Sequence, residues 1–362
     1  MLSQPILRVL SFVLMTLAGG LAAAPASAQQ RVVVGHPAPW NVQFAFFTFG
    51  EQLGYFREEG MVLERVGVTG SAVLLPQVAA GQVHFGYANP DLAIIALARG
   101  EPMPVRFFMN WLRSQTFEFV VPEASPIRTL ADLKGKKLGV GALTWGNLPL
   151  SRAMLASQNI AWQRDVEVLP VGLGAAAWRR MQTGEVDALN LFVGEHLRME
   201  IAGIKIRRLP MPEAFRSLFS NGWVASEQTL RDNPRLAIGF GRAMIKSWIA
   251  CKANPEACAR SWWAAVPASR PPAGQEAAEL ATQSRVVMTD RVQIDDFPAG
   301  AARQYGQFPD GSWQRLIDVM RAEGQIQRSD LDLSRLTTGE HLAEINRGID
   351  PAAIEAAARA AR

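Results

Sequence analysis

Cysteine, histidine and tyrosine are scarce in this 362-residue chain, with two, four and three residues respectively. The histidines (His36, His84, His196 and His341) stand well apart, so neither a His-Glu metal spacing nor a Ser-His-Asp grouping argues for a hydrolase. No Gly-rich phosphate loop occurs, which argues against an ATPase. Lysine- or arginine-rich tracts are missing too. The longest basic cluster, Lys134-Gly135-Lys136-Lys137, reads as a solvated turn and not as a nucleic-acid patch. Beyond residue 28 no segment reaches the roughly 18 uninterrupted apolar residues of a membrane span. Metal, cofactor and nucleic-acid chemistry are therefore not expected.

Residues 1–28 read as a secretory signal. Arg8 supplies the short basic region, Val9–Ala24 the apolar run, and Ala26-Ser27-Ala28 a small-residue cleavage site. Removing Arg8 takes the formal charge from +4 to +3, a mildly basic balance spread along the chain. A soluble exported protein, periplasmic in a bacterium, is the expectation. Cys251 and Cys258 flank Asn254-Pro255, a turn between two helices. In an oxidising compartment a local disulfide fits them, and two buried thiols are the alternative.

Length argues for two domains, and 49% hydrophobic content suffices for packed cores. From Arg31 short apolar runs alternate with helical periods. RVVVG, MVLERVGV, VHFGYA and PVRFFMNWL read as strands, with helices expected over Val42–Glu59, from Thr69-Gly70-Ser71 to Ala80, and from Pro90. The order restarts near Ile127, with strands in GKKLGVGAL, DVEVLPVG, VDALNLF and IKIRRLP. Extended flanks, QTFEFVVP and LFSNGWVAS, bracket this second unit. After Ser226 the chain turns helical, notably over Pro234–Ala250, Ala277–Val287 and Trp313–Glu323. One domain (31–118 plus 220–362) is thus expected to be interrupted by another (119–219), with two crossovers as a hinge.

One phrase appears in both units. LLPQVAAGQVHFGYANP and WRRMQTGEVDALNLFVGEH each run helix, glycine, a [QE]-V-[HD] step, an apolar strand and a polar end. Their glycines, Gly81 and Gly184, are 184 − 81 = 103 residues apart. The first copy carries His84 where the second carries Asp187.

These pieces carry a resemblance. GEQLGYFREEGMVLERV, GSAVLLPQVAAGQVHFGYANPDLAIIALARGEPMPV, IRTLADLKGKKLGV and GEVDAL, in that order, are similar to the solute-binding proteins of ABC importers in the nitrate/sulfonate/taurine/pyrimidine-precursor group. The match runs from Arg31 to about Ile249. It implies an α/β, two-lobed type II periplasmic binding protein fold. Each lobe would be a mostly parallel sheet flanked by helices, joined by two hinge crossovers. The family commonly carries an acidic residue where this chain has His84. The resemblance further implies a monomer that hands a small-molecule solute to ABC permease subunits, with no chemistry of its own. A sensor module for a signalling receptor is the alternative. A pyrimidine-precursor synthase relative has less support, because those enzymes resemble one another by a cysteine-rich motif that is missing before Cys251.

In open α/β sheets ligands settle at the carboxyl ends of the strands. Those ends are HPAPWN, TGS, ANP, LTWGN and NLFVGE. Trp40 and Trp145 offer flat apolar faces with an indole N–H, and Asn41 lies beside Trp40. Ser71, Thr144 and Asn147 stand at helix starts, where free N–H groups gather, and equally suit plain N-caps. Asn89 and Asn190 end the repeated strands; Glu195 brings a carboxylate or caps a helix. Trp223 lies on the return crossover, as pocket wall or hinge packing. His36 is a further wall candidate and Arg113 an anion partner by position. Trp262-Trp263 and Phe44–Phe49 read as core. The tryptophans and Glu195 favour a planar organic solute over an oxyanion.

Overall fold

The computed structural model describes residues 29–288, 297 and 304–361; the expected signal segment lies outside them. Ten strands form two five-stranded sheets among the described residues. The first sheet takes β1 (Gln30–His36), β2 (Met61–Gly67), β3 (Phe85–Ala88) and β4 (Val105–Asn110). The second takes β5 (Phe117–Pro122), β6 (Lys137–Val140), β7 (Glu167–Pro170), β8 (Ala188–Phe192) and β9 (Ile206–Arg208). The chain then returns as β10 (Gly222–Ser226) into the first sheet. Strand orders are β2-β1-β3-β10-β4 and β7-β6-β8-β5-β9. In each, the strand just after a crossover runs antiparallel to its neighbours while the core pairs are parallel. The two lobes therefore share one topology, and β3 and β8 hold equivalent places in it.

The helix expected over Val42–Glu59 is broken into a 3₁₀ turn Val42–Phe44 and helices Ala45–Gln52 and Tyr55–Glu58, interrupted at Leu53-Gly54. Phe46, Phe47 and Phe56 meet Trp248 or Phe240 of the helix Pro234–Ala253, in a core that also holds Phe49. Cys251 and Cys258 are disulfide-bonded across the junction between that helix and Pro255–Ala265.

The repeated phrase has one physical role in both lobes. Gly81 and Gly184 adopt φ of +72° and +76°, which ends each preceding helix and turns the chain toward a strand. His84 then donates its N–H to the Val33 carbonyl (2.9 Å), and its Nδ1 accepts the Val33 N–H (3.0 Å). Asp187 does the same with Lys137: N–H to carbonyl at 2.8 Å, and carboxylate from N–H at 2.8 Å. Imidazole and carboxylate are here alternative acceptors for the same backbone donor, which accounts for the departure at position 84. His84→Asp should keep thermal stability within about 0.5 kcal/mol, whereas His84→Leu should lose about 1 kcal/mol. Burial lowers the His84 pKa, so the stability its neutral acceptor contributes is full above the usual histidine value of about 6.5 and is lost as pH falls from there through the lowered folded value. Thermal melts of the three proteins at pH 7.5 and 5 check both statements.

Candidate ligand site

Where the carboxyl ends of the two sheets meet, a cavity of about 50 Å³ lies between the lobes. The first lobe supplies His36, Pro37 and Ala38 after β1, Gln43 and Phe44 from the 3₁₀ turn, Ser71 at a helix start, and Tyr87 and Asn89 from the end of β3. The second supplies Trp145, Gly146 and Asn147 between β6 and the helix Leu148–Ala156, with Phe117 and Phe192 from β5 and β8. Leu112, Thr116 and Asn221 enter from the two crossovers. Both crossovers thus touch the space they would open.

The lobes are stitched together beside this cavity. Ala72 N–H donates to the Thr144 carbonyl (3.2 Å), and the Thr144 hydroxyl donates to the Thr69 carbonyl (2.6 Å). On another side the Asp91 carboxylate, at the start of helix Asp91–Arg99, accepts the Leu150 N–H at 3.1 Å. Leu150 lies in the first turn of helix Leu148–Ala156, so one lobe caps a helix of the other. Asp91 is buried, and burial pushes its pKa up to about 7 against the opposing pull of the Leu150 hydrogen bond.

Charge is missing from the cavity wall: it contains no Asp, Glu, Lys or Arg among the described residues. His36 does not supply any at neutral pH, because burial lowers its pKa to about 4, outweighing its bond to Ala38. Its Nδ1 lies 2.7 Å from the Ala38 carbonyl oxygen and 3.2 Å from the Ala38 backbone nitrogen, so a single neighbouring residue holds the ring in place. Aromatic surface dominates instead. Trp145 packs near Phe117 (5.9 Å between centroids) and Phe192 (6.2 Å), while Tyr87 stacks on His36 (5.6 Å) and meets Phe44 edge-on. Amides and hydroxyls supply the polar points.

Four of the ten principal candidates from the sequence, Ser71, Asn89, Trp145 and Asn147, form part of this wall, as does the further wall candidate His36. The other six lie elsewhere, each for a visible reason. Trp40 donates its indole N–H to the Val66 carbonyl (2.9 Å) and packs edge-on against Phe44 and Phe47, behind the wall. Asn41 caps the 3₁₀ turn by accepting the Gln43 N–H, which aims Gln43 and Phe44 inward. Thr144 is spent on the lobe stitch. Asn190 is buried behind Asn147 and bonded to it. Glu195, fully buried, accepts from Gly174 N–H (2.5 Å), Trp178 Nε1 (2.8 Å) and Arg198 (3.0 Å). It therefore caps the preceding helix Ala175–Gln182, not the cavity or the helix that follows. Trp223 is enclosed by Phe47, Tyr87, Trp111 and Phe240, as core. Arg113 is turned away too, donating to the Gln307 carbonyl and lying over Phe297.

Sequence reasoning missed Gln43, Tyr87, Thr116, Phe117, Phe192 and Asn221, and it placed Phe44 wholly in the core. Tyr87 had a usable signal, since it stands two residues before Asn89 and shares its face of the strand. A separate, open groove of about 630 Å³ lies outside the cavity, with Trp40, Trp178, Arg198 and Trp262 among its lining.

Two equivalent α/β lobes joined by two crossovers, with a cavity at their facing strand ends, define the periplasmic binding protein class of fold. The chain belongs to the NMT1/THI5-like family, whose profile matches residues 41–258. The riboflavin-binding protein RibY of Chloroflexus aurantiacus is 24% identical over 302 residues, covering 83% of this chain and 82% of its own. The alkanesulfonate-binding protein SsuA of Xanthomonas axonopodis pv. citri shares the fold with a TM-score of 0.60 and 18% identity, over 88% of this chain and 100% of its own. The periplasmic nitrate-binding protein NrtA of Synechocystis PCC 6803 does so with a TM-score of 0.60 and 12% identity, over 93% and 100%.

Proposed function

We propose that this protein is the periplasmic solute-binding component of an ABC importer, and that it captures an uncharged, planar heterocyclic solute between its lobes. Delivery to a membrane permease would follow, with ATP hydrolysed elsewhere. The single observation that carries the choice of solute is the wall itself: aromatic rings and amides with no fixed cation. A sulfonate or nitrate moved into such a cavity would leave water without a compensating charge, which costs several kcal/mol. A neutral ring loses little hydration and gains contact with Trp145, Phe192, Phe44 and Tyr87. The name of the RibY relative, a flavin binder, is in keeping with this choice; those of SsuA and NrtA are not. Capture without chemistry is supported by the wall's composition, since its one histidine is neutral and is held by the Ala38 backbone.

Closure follows from the stitches: a solute that touches both lobes favours the apposed form by its differential affinity. A thermal-shift panel on the chain from Gln29 tests the reading. Riboflavin and neutral pyrimidines should include a stabilising solute, worth about 2.7 kcal/mol at a hundredfold excess over Kd, while taurine, methanesulfonate and nitrate should leave the transition in place. Stabilisation by the oxyanions alone would overturn the proposal.

A further inference from the structure

One cavity residue has its hydrogen-bonding polarity imposed from outside. The sequence of dependence starts at a backbone carbonyl, that of Glu118 in β5, which can only accept. Asn190 Nδ2 donates to it at 3.1 Å, so the Asn190 side-chain oxygen must point the other way. That oxygen accepts from the Ser151 hydroxyl at 2.7 Å and faces the Asn147 amide at 3.4 Å. The Asn147 atom turned toward it is therefore the NH2 group, which also donates to Ser151 Oγ at 3.2 Å. Asn147 Oδ1 is what remains. It is buried and has no hydrogen-bond partner, in a residue that forms part of the cavity wall. Thr116 Oγ1, on the first crossover, is a second buried wall atom with no partner.

A buried acceptor without a donor is costly in the closed form, and a carbonyl-type oxygen cannot reverse its role as a hydroxyl can. We infer that Asn147 Oδ1 is the specificity-determining acceptor for a ligand N–H or O–H, with Asn190 as the positioning residue that keeps it so. The inference rests on the proposed capture of an uncharged heterocycle and narrows it to those with a ring N–H or an equivalent hydroxyl. Thr116, which can donate or accept, completes the polar edge without dictating its sign. The closed form therefore selects for a donor at one place on the ring.

Two measurements on the protein from Gln29 test this. The first needs no ligand: hydrogen exchange of the Asn147 side-chain NH2, followed by proton–nitrogen NMR and assigned from its loss in Asn147→Asp. Slow exchange is expected in the wild type and fast exchange in Asn190→Leu. If Asn190→Leu does not fold, Ser151→Ala supplies the comparison, with intermediate exchange. Wild-type exchange as fast as that of a surface amide would overturn the relay. The second uses matched probes, riboflavin against 3-methylriboflavin and uracil against its N-methyl derivatives. Masking the N–H should weaken binding roughly tenfold to a hundredfold in the wild type, and the preference should shrink in Asn190→Leu. Thr116→Val should lower affinity for both members of a pair alike. Equal binding of a matched pair would overturn the inference. Binding of no probe would overturn the uncharged-heterocycle reading, while the exchange experiment still decides the relay.

Discussion

A single methyl group at position 146 should weaken solute capture roughly tenfold to a hundredfold while leaving the ligand-free protein almost as stable as before. Gly146 sits in the second lobe and faces the first. A Cβ built there would lie 2.7 Å from Ser71 Oγ, 2.8 Å from Ser71 Cβ and 2.9 Å from Asn89 Cβ. Two of those neighbours are carbons attached directly to the backbone, so no flexible side-chain tip can yield. Because every clash crosses between lobes, each lobe can fold undisturbed, and the penalty falls on bringing them together. Overpacking of this kind costs about 1–3 kcal/mol, and each 1.4 kcal/mol is a factor of ten in affinity. Titration of Gly146→Ala with a solute identified by thermal shift checks the loss, and melting without solute checks that the lobes are intact. Unchanged affinity would mean that binding does not require the apposed form.

Asp91→Asn should stabilise the protein at pH 8 and expose a pH dependence that the wild type conceals. The folded-state pKa of Asp91 is raised to about 7 from an ordinary 3.8, chiefly by burial. Between these values the folded protein holds a proton that the unfolded chain has released, so stability falls as pH rises through that window and levels above it. The shift is worth up to about 4 kcal/mol at pH 8. His36 acts oppositely. Its pKa is lowered to about 4, so its contribution is present above about 6.5 and lost as pH falls toward 4. From about pH 4 to 6.5 the two slopes nearly cancel. Asparagine keeps an oxygen for the Leu150 N–H but carries no charge. Its variant should therefore gain a few kcal/mol at pH 8 and show the His36 slope, with stability rising by about 3 kcal/mol from pH 4 to 6.5. Chemical denaturation across this range reads both effects. A variant that stays parallel to wild type throughout would show that Asp91 is not held in the buried, lobe-bridging position.

The strands were legible because their signals are local. Apolar runs bounded by glycine, proline and asparagine mark β1 to β10 without any knowledge of the fold, and the doubled phrase points to two lobes of one design. The long first helix was misjudged because crowded aromatics look helical, whereas the break at Leu53-Gly54 and the exit of Phe44 toward the cavity depend on packing. Site residues divide along the same line. Ser71, Asn89, Trp145 and Asn147 sit at strand-to-helix junctions, which topology alone brings to the cleft. Asn190 and Glu195 lie at an equally suitable junction, yet one supports Asn147 from behind and the other caps a neighbouring helix. Only three-dimensional neighbours distinguish those outcomes. Thr116, Leu112 and Asn221 belong to crossovers that carry no motif, so their place in the wall becomes visible only once both sheets are placed. His84 went from anomaly to equivalence for the same reason: its partner, Val33, is 51 residues away.

On the proposed reading, an uncharged planar solute is held in the aromatic cavity between closed lobes. A crystal structure with the most stabilising heterocycle of the panel tests it most directly. The ring is expected between Trp145, Phe192 and Tyr87, with a ring N–H on Asn147 Oδ1 and the Asp91–Leu150 bridge intact. A ring seated instead in the outer groove, against Trp40, Trp178 and Trp262, would contradict it.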